Sequence, residues 1–186
     1  MINLIDLKKI FNKMVLWILL IYGVLFASAY IFIFFSDVAL ERVNSSELVK
    51  YVQWYDIFIH NTLSSFTFIL LGILSFGVIS TVFFLYDFYL IVFAAYGAYT
   101  YSGSFLYSLT ALLTHGVVEV VAISINVYLS TISFRFLINW VYKKKIFYVE
   151  SRNEIMKLIG VMVCIFLIAS FIEAFVTPKL LEFIVE

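Results

Sequence analysis

The chain has 186 residues, of which 65% are hydrophobic, 20% are aromatic and 13% are charged. With a mean hydropathy of +1.09, this composition excludes an ordinary soluble domain and predicts an all-α, polytopic bundle of transmembrane helices. The 12 basic and 12 acidic residues cancel, so nothing in the charge indicates nucleic-acid binding. The length allows a single membrane domain, residues 1–186, without a separate catalytic module, so an enzyme is the less favoured class.

The first predicted span covers residues 14–35 and follows Lys8, Lys9 and Lys13. About 22 apolar residues are enough to cross a bilayer and exceed the apolar part of a typical signal peptide. We therefore expect this span to be retained. The polar segment after it, residues 36–56, is expected to be an exposed loop with a short amphipathic helix.

Two apolar tracts, residues 57–86 and 88–100, predict the second and third spans. The first of them is longer than the roughly 20 residues that one span needs, which indicates a tilted helix. Between them, the aromatic residues around Asp87 predict a tight turn at the membrane interface. Residues 101–104, Tyr-Ser-Gly-Ser, predict the next turn.

The tract at residues 105–142 is again too long for one straight span of about 20 residues. It is either one helix or two, with the break near Gly116. Because irregular backbone at membrane depth must be surrounded by protein or water, such a break would lie inside the bundle. The last span, residues 158–176, is expected to stop at Pro178. The sequence thus predicts five spans, with a sixth helical piece if the long tract is broken.

Basic residues predict the topology. Lys8, Lys9 and Lys13 precede the first span, and Lys143, Lys144 and Lys145 lie between the last two. The positive-inside rule places both groups in the cytoplasm, so an even number of spans separates them. We expect a cytoplasmic N-terminus and an outside C-terminus. Low proline and abundant Ile, Phe, Tyr and Lys fit the cell membrane of a prokaryote.

Several polar residues fall within the predicted spans, where a charged side chain costs about 2.5–3.5 kcal/mol on insertion scales. They are His60, Asn61, His115, Glu119, Asn126 and Glu173. His115 and Glu119 are four residues apart, which places them on one face of a helix where they can hydrogen-bond. The predicted topology places the whole set in the outer half of the membrane, so we expect one polar cluster.

Three interpretations of this cluster stay open on the sequence. The residues pair with one another and fix the helix register, or they form a transport or proton-relay path. The third interpretation is a site for a divalent metal such as zinc, because histidine and carboxylate are zinc ligands. Its candidate ligands are His60, His115, Glu119 and Glu173. No motif such as HExxH supports the metal site, and no catalytic residue is predicted.

Small residues predict where helices pack closely. Gly72 and Gly77, together with neighbouring serines, form a seam suited to helix contact. Gly116 lies between His115 and Glu119, and we expect it to let a neighbouring backbone approach the same polar face.

Three stretches in matching order resemble the stage II sporulation protein M family. They are FIHNTLSSFTFILLGILSFGVIS at residues 58–80, HGVVEV at 115–120 and ASFIEAFVTPKL at 169–180. Members are multi-helix membrane proteins with an asparagine early in the second span, glycines along that helix, an HGxxE motif and a closing glutamate followed by Thr-Pro. The positions that match are Asn61, Gly72, Gly77, His115, Gly116, Glu119, Glu173, Thr177 and Pro178. The family often has Asn-Gly in the turn after the second span, whereas this chain has Tyr-Asp-Phe at residues 86–88.

The resemblance implies a class of function but does not identify a catalysed reaction. The namesake of the family is similar to a scaffold that holds peptidoglycan-remodelling enzymes, while other members accompany bacteriocin production and immunity, often beside an ABC-type ATPase. We expect a scaffold or assembly subunit of a membrane complex. The alternatives are a transporter or permease component with a partner ATPase, and an intramembrane metal-binding protein or enzyme. Expected partners are membrane lipids and another membrane protein or a second copy of the chain, without nucleic acid.

Overall fold

A computed structural model describes residues 53–185 and a few helical positions between Trp17 and Ile31. The predicted first span and the polar segment after it lie almost entirely outside the described residues. The described residues form helices and no strand, which confirms the all-α class. Four of these helices are long and apolar enough to cross a membrane, so the bundle is a membrane domain.

The described chain forms six α-helices and one π-helical turn. They are α1 (Trp54–Leu74), α2 (Val78–Ser102), α3 (Phe105–Ser130), α4 (Ile132–Tyr142), α5 (Arg152–Phe171), the π turn (Ile172–Val176) and α6 (Thr177–Val185). α3 and α4 together make one candidate span, Phe105–Tyr142, and α5 with the elements after it makes another, Arg152–Ile184. With α1 and α2, these are the four membrane-crossing units.

α1 ends in a tight turn at residues 75–77. Phe76 and Gly77 have positive φ angles of 52° and 85°, and the Gly77 N–H donates to the Gly72 carbonyl at 2.8 Å. Glycine adopts this left-handed conformation without a steric cost and is the usual residue where a helix ends in this way. The chain therefore reverses here and starts α2.

This turn shows that the predicted boundaries of the second and third spans, residues 57–86 and 88–100, are wrong. The interfacial turn predicted at Asp87 does not form, and Asp87 lies near the middle of α2. The actual turn uses only three residues and carries no charge and no proline, so it leaves almost no trace in a hydropathy pattern.

The predicted break near Gly116 is also wrong. α3 runs through this position without interruption, and the helix is interrupted only at Thr131, whose φ and ψ are −89° and 6°. A glycine inside a helix costs only about 1 kcal/mol relative to alanine, which helix packing readily overcomes.

The sequence predicted that the last span stops at Pro178. This prediction is wrong, because α6 continues to Val185. The π turn lies directly before it, and the Thr177 N–H donates to the Ile172 carbonyl, one residue further back than in an α-helix. In an α-helix the proline ring would clash with a carbonyl group of the preceding turn. The wider π turn moves these carbonyl groups away from the ring. The helix therefore passes through the proline.

α3 is the central helix of the described bundle and packs against α1, α2 and α5. The main core joins α1, α3 and α5 through Ile69, Ala122, Ile125, Tyr128, Leu129, Leu158, Met162 and Phe166. α2 is peripheral and buries only Ser80 and Ala95. It is joined to α3 by the Ser108 hydroxyl, which donates to the Ala95 carbonyl at 2.7 Å.

The three glycines that the sequence assigned to helix packing have different surroundings. A Cβ at Gly72 would overlap the Ser130 side chain and stand 3.1 Å from Ser130 Cα, so α1 and α3 are in close contact there. Gly77 belongs to the turn. At Gly116 no described atom lies within 4 Å of the position that a Cβ would take, so the expected close approach of a neighbouring backbone is absent.

A buried ion pair fixes the segment after α4. Arg135 Nη1 lies 2.9 Å from Glu150 Oε1, and both side chains are 3% exposed. The Tyr128 hydroxyl donates to the same carboxylate oxygen. The Arg135 guanidinium also lies over the Tyr128 ring, 4.1 Å from its centroid. These contacts hold the loop that contains the three lysines against the end of the α3–α4 span.

Candidate functional site

A cavity of about 770 Å³ lies among α1, α2, α3, α5 and the π turn. Carboxyl groups enter it from three elements: Asp87 from α2, Glu119 from α3 and Glu173 from the π turn. The described residues that line it include no lysine and no arginine. The three acids lie near the middle of their candidate spans. The expected location of the polar cluster in the outer half of the membrane stays a prediction.

Glu119 is bound from the facing helix. Asn61 Nδ2 of α1 donates to Glu119 Oε1 at 2.6 Å. Glu119 lies about 21 Å along α3 from its start, at a rise of 1.5 Å per residue. This hydrogen bond fixes the carboxylate with one oxygen engaged and leaves Oε2 available to a second partner.

His115 is placed against the π turn and the start of α6. Its Nε2 lies 4.0 Å from Glu173 Oε2, and its Nδ1 lies 3.5 Å from the Thr177 hydroxyl. No hydrogen bond joins His115 to Glu119 among the described residues. The i, i+4 spacing does place both on one helix face, but each side chain finds its partner on a different neighbouring element.

The remaining predicted residues also lie in this cavity. His60 is exposed and lines it next to Asn61. Gly116 forms part of the α3 wall, and its missing side chain leaves space there, since no described atom fills the position of a Cβ. The structure thus brings His60, Asn61, His115, Glu119 and Glu173 to one cavity, as two bonded or close pairs and one exposed histidine.

Asp87 is the cavity residue that the sequence interpretation missed. It was assigned to an interfacial turn because aromatic residues flank it on both sides. The signal that could have found it is the excess length of the tract at residues 57–86, together with Gly77. A break placed at that glycine moves Asp87 into the middle of the next span.

Asn126 closes the cavity on the α3 side and is 4% exposed. Its Nδ2 donates to the Ser65 hydroxyl at 3.2 Å, but its Oδ1 has no hydrogen-bond partner among the described residues. Buried acceptors are nearly always paired in folded proteins. Because Oδ1 is itself buried, a ligand in the cavity reaches it only if the surrounding side chains move.

The four candidate zinc ligands are not arranged around one point. Within residues 53–185, no three of the His, Cys, Asp and Glu side chains are placed to hold a metal ion. His115 and Glu173 approach each other. Glu119 instead accepts a hydrogen bond from the Asn61 amide, and an amide is not one of the usual zinc ligands. The arrangement suits hydrogen bonding and charge compensation.

Comparison with known proteins agrees with the family resemblance found in the sequence. No curated protein and no solved structure matches the chain. The family profile described as Stage II sporulation protein M matches residues 14–178, which include every cavity residue named above. The chain belongs to the stage II sporulation protein M family.

Proposed function

We propose that the protein is the membrane-embedded component of a transport system and binds a positively charged solute in its cavity. The observation that carries this proposal is the combination of Asp87, Glu119 and Glu173 in one cavity whose described lining has two histidines but no lysine and no arginine. In a medium of low polarity, a carboxyl group without a cationic partner takes up a proton or a cation. Such residues in membrane proteins commonly line solute and ion pathways.

The depth of the acids supports the same function. A transport site that opens to either side in turn belongs near the middle of the membrane domain, and the three acids lie near the middle of their spans. We place the protein in the cell membrane of a prokaryote with a cytoplasmic N-terminus, as its lysines predict. A soluble ATPase is the kind of partner that could drive the transport.

A scaffold or assembly role is the second candidate, and the peripheral position of α2 favours it. Only Ser80 and Ala95 are buried in this helix of 25 residues, so most of its surface can meet another membrane protein, a second copy or lipid. Crosslinking and co-purification from native membranes test this role. A protein that remains monodisperse, without a partner or self-association, contradicts it.

The transport role is tested by cation exchange in proteoliposomes that contain the full-length protein. The informative variant is Glu119→Gln, and the matched control is Glu182→Gln, an exposed acid of α6 outside the cavity lining. Because Glu119→Gln loses one charge contact, we expect its rate of cation exchange to fall by about tenfold or more. The control keeps the full rate. Equal rates for wild type and Glu119→Gln would contradict the proposal.

A further inference from the structure

We infer that the cavity binds an organic cation, a protonated amine attached to an apolar body. This inference rests on the proposed transport role, because it names the chemical class of the solute. It is carried by the size, the charge and the aromatic lining of the cavity.

The size of the cavity favours an organic molecule over a bare ion. Pockets of about 300–1,000 Å³ are typical of sites for small organic ligands, and this cavity of about 770 Å³ lies in that range. A bare metal ion needs a tight group of ligands instead, and no three metal-binding side chains are so grouped within the described residues.

The lining is apolar and aromatic between its acids. Phenylalanine side chains enter from three of the surrounding helices, namely Phe68 from α1, Phe83 and Phe88 from α2, and Phe166 from α5. Their faces can bury a hydrocarbon group, and an aromatic face also attracts an ammonium group. Inorganic cations, which keep their water or need oxygen ligands, gain little from such a surface.

The acids supply the charge that an amine needs. Glu119 has one oxygen engaged by Asn61 at 2.6 Å, and its other oxygen can accept from an ammonium N–H. Asp87 belongs to the peripheral helix α2, so the cavity has acidic groups on more than one of its walls. These carboxylates would repel an anionic solute.

The carboxyl groups also provide selectivity among organic cations. A primary or secondary ammonium can donate an N–H to Glu119 or Asp87, whereas a fully methylated ammonium has no hydrogen to donate. The geometry therefore points to a primary or secondary amine rather than a quaternary one.

Equilibrium binding to the full-length protein in nanodiscs tests the inference. The probes are phenethylamine, its N-trimethylated derivative and phenylpropionate, an anion with a similar apolar body. We expect phenethylamine to bind at least about tenfold more tightly than the trimethylated compound, because it makes a further charge-assisted hydrogen bond. Phenylpropionate should not bind. Equal binding of the amine and the anion would overturn the inference.

Three variants locate the site. Glu119→Gln should weaken phenethylamine binding by at least about tenfold, while Glu182→Gln leaves it unchanged. Asp87→Asn on the peripheral helix α2 provides the second test and should also weaken phenethylamine binding. Unchanged binding in Glu119→Gln and Asp87→Asn would place the amine elsewhere and overturn the inference.

The binding and exchange measurements separate this inference from the transport role. Amine binding that depends on Glu119, without exchange in proteoliposomes, supports the ligand class and contradicts transport. Exchange of protons or inorganic cations that depends on Glu119, without amine binding, supports transport and overturns the ligand class.

Discussion

Substitution of Gly72 by alanine tests the close contact between α1 and α3. The added Cβ would overlap Ser130 Cβ and lie 3.0 Å from the Ser130 carbonyl oxygen and 3.1 Å from its Cα. Two of these three atoms belong to the backbone and cannot rotate away, so the helices must move apart. We therefore expect the Gly72→Ala protein to be less stable than the wild type.

Gly97 of α2 gives the matched comparison, because no described atom lies within 4 Å of the place of its Cβ. Both substitutions gain about 1 kcal/mol of helix propensity, and this gain cancels when the two variants are compared. The difference that remains is the cost of overpacking, about 1–3 kcal/mol. Gly97→Ala should be at least as stable as the wild type, and Gly72→Ala should be less stable than Gly97→Ala by this amount.

The assay is reversible unfolding in mixed micelles, followed by circular dichroism as the fraction of denaturing detergent increases. A second substitution, Ser130→Gly, removes the Cβ that overlaps most and should restore part of the loss in the Gly72→Ala protein. Equal stability of Gly72→Ala and Gly97→Ala would refute the close packing of α1 against α3.

Three further predictions concern the loop after α4, the start of α5 and the exposed cysteine of α5. Glu150→Gln leaves the buried Arg135 without its counterion and should lower the unfolding free energy by about 3–5 kcal/mol. The double substitution Arg135→Met with Glu150→Leu leaves no unpaired charge, so it should lower the unfolding free energy by less in the same micelle assay. Ser151→Ala removes the capping box at the start of α5 and should cost about 1 kcal/mol, whereas an unchanged value would show that this cap contributes nothing. Cys164 is exposed on a membrane-spanning helix, so lipid should protect it from charged thiol reagents until the membrane is dissolved, and rapid labelling in intact membranes would contradict this position.

Composition was sufficient to predict the membrane class, because no soluble fold needs this share of apolar residues. The family motifs contain Asn61, His115, Glu119 and Glu173, which line the cavity, but they do not contain Asp87. They could not predict the partners of His115 and Glu119. Helical spacing determines only that two residues share a face, whereas the partner depends on which residue of a neighbouring helix lies opposite, as Asn61 does for Glu119 at 2.6 Å.

The errors in the predicted span boundaries share one physical origin. A hydropathy pattern is an average over many residues, so it does not show short irregular segments. The turn at residues 75–77 and the π turn before Pro178 each change the chain path without changing its polarity. Asp87 was misplaced as a consequence of the first. The Arg135–Glu150 ion pair was not predicted either. Arg135 lies in a tract predicted to span the membrane and Glu150 in the polar segment after it, and their contact joins positions 15 residues apart.

Reactivity of a cysteine at position 87 tests the central claim that an acidic, water-accessible cavity lies in the middle of the membrane domain. In a Cys164→Ser background, Asp87→Cys should react with a small cationic methanethiosulfonate faster than with an anionic one, because Glu119 and Glu173 remain in the cavity. Tyr89→Cys is the control, since Tyr89 is 60% exposed and is not among the lining residues. It should stay unlabelled in the membrane. Slow labelling of Asp87→Cys, equal to that of Tyr89→Cys, would contradict the account.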